Sequence, residues 1–125
     1  MLVIRDAQLQ VFRDHSLQRF ERRLKEHVRE ALAAAGIGFT EEVLREQIVL
    51  GMKSSRELGL VTERDVARYI TIVCSVLAGF TSEPHPKAAL HILRAPNQEP
   101  REKLDRFEGW ARDYRRETLE EDRGA

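Results

Sequence analysis

Cysteine is nearly missing from this chain: Cys74 is the only one. No internal disulfide can form, and a reducing compartment suits the molecule, so the cytoplasm is the expected location. An excess of one charge is missing too. Twenty-one Lys and Arg balance twenty-one Asp and Glu, so no net field draws the chain toward nucleic acid or an anionic membrane, and a partner must be found through a local surface. No run approaches the roughly 20 apolar residues that cross a bilayer. The opening MLVIRDAQLQ breaks at Arg5 and Asp6, well short of a signal peptide's apolar core. Neither export nor insertion is therefore expected.

Several catalytic signatures are also lacking. The histidines, at 15, 27, 85 and 91, form no His-x-x-x-His and no Cys/His pair at ligand spacing. No Gly-rich phosphate loop follows a strand, and no Gly-x-Ser-x-Gly elbow occurs. Cys74, among Val73, Ser75, Ile70 and Leu77, reads as a buried structural residue rather than a nucleophile. The expectation is a protein without catalysis, metal or cofactor.

What the chain does contain is helical period. Strand signals are almost absent, hydrophobic residues make up 42% and charged residues 34%, and 125 residues suffice to bury about two thirds of the unfolded surface. The pattern predicts a single all-α domain, a five-helix bundle. A long amphipathic N-terminal helix runs from about Asp6 to Ala35, with Leu9, Phe12, Leu17, Phe20, Leu24, Val28 and Leu32 on one stripe and Gly36 and Gly38 at its end. Thr40 begins a second helix carrying Val43, Leu44, Ile48, Met52, Ser55 and Leu58, which Gly59 closes.

The stretch LVTERDVARYITIVCSVL begins with four polar residues that the start of a helix explains. Thr62 caps, Asp65 three residues on approximates a capping box, and Val61 with Val66 fits a hydrophobic staple. After them only Arg68, Thr71 and Ser75 interrupt the apolar surface, so this helix, about 63–78, is predicted to be the buried centre. Pro84 and Pro86 stiffen the next connection, and a short fourth helix runs to Pro96. A fifth begins near Pro100, with Leu104, Phe107, Trp110 or Ala111 and Tyr114 inward, and a frayed tail is expected from about 117.

SSRELGLVTERDVARYI has the outline of a helix-turn-helix DNA reader, but its second helix would meet phosphates with Glu63 and Asp65 and then turn apolar. A stripe of Arg64, Arg68 and the basic side of the first helix keeps a small DNA-binding regulator as an alternative. The candidate partner-binding residues are Arg19, Arg22, Arg23, Arg64 and Arg68, His85 on its proline-flanked loop, and Trp110 and Tyr114, aromatic residues of a kind common both in cores and as interface anchors, with core the favoured reading here.

Three stretches resemble a family of small helical bacterial proteins encoded beside type VI secretion spike and effector genes: IRDAQLQVFRDHSLQRFERRLKEHVRE, GLVTERDVARYITIVCSVLAGF and PKAALHIL. The similarity covers most of residues 4 to 95, and Glu63-Arg64-Asp65-Val66 with Arg68-Tyr69-Ile70 is its most specific part. The resemblance implies an accessory role, as an adaptor or co-chaperone that binds a secretion effector or its loading chaperone. An immunity protein that caps a cognate toxin would carry the same sequence features. No nucleic acid or membrane partner is expected.

Overall fold

A computed structural model describes residues 6–81 and 84–124, with side chains described at 16–81 and 84–119. It is an all-α bundle of α1 (Asp6–Ala34), α2 (Glu41–Glu57), α3 (Glu63–Val76), α4 (Lys87–Leu93) and α5 (Pro100–Gly124). The expected inward positions Leu9 and Phe12, and the side chain of His15, lie outside the described residues.

Local chemistry sets the helix boundaries. Thr40 Oγ1 accepts from the Val43 amide at 3.2 Å and Thr62 Oγ1 from the Asp65 amide at 3.1 Å, each satisfying a backbone donor that has no partner inside its helix. Gly36 (φ +71°) and Gly59 (φ +78°) take the left-handed position at the ends of α1 and α2. Behind them the Ile37 amide donates to Leu32 O at 2.9 Å and the Leu60 amide to Ser55 O at 3.0 Å, the closure that such a turn permits. α3 ends differently. Ala78 takes the left-handed conformation there, at φ 64°, and Gly79 follows at φ 114°. The staple does not form, because Val61 is 87% exposed.

Packing then selects one face of each helix. α1 buries Phe20, Leu24, Val28 and Leu32 at four-residue spacing, and α2 buries Leu44, Ile48, Gly51 and Ser55. α3 buries Tyr69, Ile70, Ile72, Val73 and Cys74. Each fully buried apolar side chain contributes about 1.5–3 kcal/mol, whereas a cap contributes about 1 kcal/mol, so burial rather than the Thr62 cap holds α3 in place. Its remaining hydroxyls turn back on the helix: Thr71 donates to Ala67 O at 2.7 Å and Ser75 to Thr71 O at 2.6 Å.

α3 packs against α1, α2 and α5, α1 packs against α2, and α4 packs on α5. A surface cluster ties α1 to α2, with Glu41 accepting from Arg29 at 2.7 Å and from Lys25 at 3.1 Å; Arg29, and Lys25 after it, hold the Glu41 carboxyl below the usual carboxylate range. α5 buries Leu104, Phe107 and Ala111 and remains helical through Gly124, beyond the thinning of apolar residues near Arg116. No described helix is long and apolar enough to cross a membrane.

Candidate partner-binding cleft

α2 and α5 both lie on α3, but no Cα of one comes within 8 Å of a Cα of the other among the described residues. The gap between them is a cleft of about 600 Å³, bounded by Leu50, Lys53 and Glu57 of α2, by Trp110 and Tyr114 of α5, and by Leu77, Phe80, Thr81, Pro84 and His85 from the connection after α3.

The floor is aromatic and fixed. Tyr69 of α3 is fully buried, and its hydroxyl lies 2.7 Å from Ser54 Oγ of α2 and 2.5 Å from His85 Nε2. Burial pushes the Tyr69 phenol up to about 12, so it keeps its proton and can donate. Phe80 lies edge-on to Tyr69 at 5.7 Å, and both of its backbone polar groups are held by one side chain. Gln47 Nε2 donates to Phe80 O at 3.1 Å, and Gln47 Oε1 accepts from the Phe80 amide. Two glycines allow this approach. A Cβ on Gly51 would stand 2.9 Å from the Phe80 ring, and one on Gly79 would stand 2.7 Å from Gln47 Oε1.

His85 departs from the expectation of an exposed loop contact. Its ring turns inward to meet Tyr69 edge-on at 5.9 Å and Phe107 at 5.8 Å, leaving it half-buried. That burial lowers its pKa, so the imidazole is neutral at neutral pH. From Phe107 the aromatic run continues outward to Trp110 at 5.9 Å and then to Tyr114, which stacks on Trp110 at 5.0 Å with planes 20° apart. Of the alternatives Trp110 or Ala111, Ala111 is the buried one and Trp110 is half-buried; Tyr114, expected inward, is 43% exposed and stands at the mouth of the cleft.

The structure therefore brings His85, Trp110 and Tyr114 to one cleft. The arginines lie elsewhere. Arg68 bridges α3 to α5 through Asp105 at 2.5 Å, and Arg23 bridges α1 to the start of α3 through Glu63 at 3.1 Å. Arg19, Arg22 and Arg64 are exposed. Cys74 is buried and its thiol is pushed up to about 12. No family model, curated protein or solved structure matches this chain.

A second groove, of about 440 Å³, lies among Leu17, Phe20, Met52, Leu60 and Val66. It is more widely open, with Ser16, Ser55, Arg56 and Glu63 also in its lining, and Phe20 is its one aromatic residue, whereas Phe80, His85, Trp110 and Tyr114 gather between α2 and α5. The residues that build the α2–α5 cleft from beneath, Tyr69, Ser54, Gln47, Gly51 and Phe80, do not stand out as a site in the sequence. Two signals were available: Gln47 falls on the inward face that Leu44 and Ile48 define, and Gly51 interrupts a helix interior.

Proposed function

We propose that this chain is a non-catalytic protein-binding accessory protein that holds part of its partner in the cleft between α2 and α5. The observation that carries this reading is the stacked Trp110 and Tyr114 pair, partly exposed at the mouth of a cleft whose floor is fixed by part-buried hydrogen bonds. Aromatic anchors on a rigid support are the residues that dominate interface energetics, because little side-chain entropy remains to be lost on binding. A protein partner is favoured over nucleic acid because Arg68 and Arg23 are already paired with carboxylates and the start of α3 carries Glu63 and Asp65. The resemblance of residues 4 to 95 to proteins encoded beside type VI secretion genes supports a secretion effector or its loading chaperone as the partner.

The test is affinity purification of the tagged chain from its source cells, wild type beside Tyr114→Ala, with mass spectrometry of what co-purifies. Tyr114 is 43% exposed, so the variant should retain its helical circular dichroism. One specific protein should accompany the wild type and be depleted at least about tenfold with the variant. A toxin in that position would move the reading to immunity. A partner retained equally by Tyr114→Ala, or no specific partner, would overturn it.

A further inference from the structure

We propose that the occupant of the α2–α5 cleft is one amphipathic helix of the partner, with an apolar stripe on Leu50 and Tyr114 and with an acidic and a basic residue on its flanks for Lys53 and Glu57. The inference rests on the cleft being the binding surface and specifies what enters it.

The walls supply the first argument. α2 faces the gap with Leu50, Lys53, Ser54 and Glu57, at spacings of three and four, and α5 faces it with Trp110 and Tyr114, four apart. Both walls are therefore helix surfaces with ridges at the helical period. The surface that interdigitates with two such ridges is a third helix of the same period. Around α3 the positions of α1, α2 and α5 are filled, while the backbones of α2 and α5 stay more than 8 Å apart, Cα to Cα, among the described residues. A helix lying between them would complete the layer, with anchors at i, i+3 or i+4, and i+7.

Charge supplies the second. Lys53 and Glu57 stand one turn apart on the rim, and neither has an ion-pair partner among the described residues. Opposite signs on one rim disfavour flanks of a single sign, since one of the two would always face a like charge. The aromatic geometry weighs against the other common mode. Extended proline-rich segments dock in aromatic-lined grooves, but Trp110 and Tyr114 cover each other's faces at 5.0 Å and leave no slot between them.

The experiment is selection of a phage-displayed library of random peptides, each about 16 residues long so that a bound helix spans several turns. The target is the full chain, with counter-selection on Tyr114→Ala. Selected sequences should carry apolar residues at helical spacing with both an acidic and a basic flank. Synthetic versions should shift the emission of Trp110, the sole tryptophan. Their affinity should fall about tenfold in Leu50→Ala and about two- to fivefold in Lys53→Ala. Enrichment of proline-rich sequences, or of flanks with a single sign, would overturn the helix while leaving the cleft as the binding surface. If no enrichment depends on Tyr114, both this inference and the proposed function fall.

Discussion

An alanine methyl at position 51 would stand 2.7 Å from Ile70 Cγ1 and 2.9 Å from the Phe80 ring, so this one hydrogen in place of a side chain sets how closely α2 lies on α3. By propensity Gly51→Ala should favour α2 by about 1 kcal/mol. The crowding it creates costs about 1–3 kcal/mol in a packed core. A net loss is expected, visible as a lower denaturation midpoint at unchanged slope. Ala78 presents the reverse case. At φ 64° its Cβ is strained, and Ala78→Gly should stabilise the protein by about 1 kcal/mol in the same measurement. At His85 the consequence is a pH dependence. Burial lowers the folded pKa below the unfolded 6.5, so between those two values the unfolded chain binds more protons. Stability is therefore fully present above about pH 6.5 and declines as pH falls toward the folded value, and His85→Gln should flatten that decline in denaturation curves taken at several pH values.

Among the elements, the segment after α3 depends most on a single side chain. Gln47→Ala would strip partners from both the amide and the carbonyl of Phe80, at a cost of about 1–3 kcal/mol, and hydrogen exchange at the Phe80 amide should accelerate well beyond that of the α3 interior. The helices themselves were legible in the sequence because their boundaries are written locally: Thr40 and Thr62 cap, Gly36 and Gly59 close, and Leu24, Val28 and Leu32 repeat with the helical period. The cleft was legible only in part. Trp110 and Tyr114 marked one wall, but the inward turn of His85 and the clamp from Gln47 join residues 16 and 33 positions apart, and no local pattern encodes how closely two helices approach. Val61 shows the same limit from the other side. Its spacing to Val66 suits a staple, yet the chain leaves α2 in a direction that keeps Val61 in solvent.

At the scale of the molecule, α3 is the shared support of α1, α2 and α5, while α4 reaches the bundle by packing on α5. Both walls of the cleft thus refer to the same central helix, and a change in how either α2 or α5 sits on α3 changes the width of the gap between them. Cys74 lies in that central helix at 3% exposure, with its thiol pushed up to about 12 by burial. Released into water, the same sulfur would ionise near its ordinary 9.0 and become many times more reactive. The interior therefore contains its own clock. An alkylating reagent added to the native protein marks only those molecules that have come apart around α3. The marking rate in plain buffer reads the free energy of that opening when reclosing outpaces the reagent, and the opening rate itself when it does not.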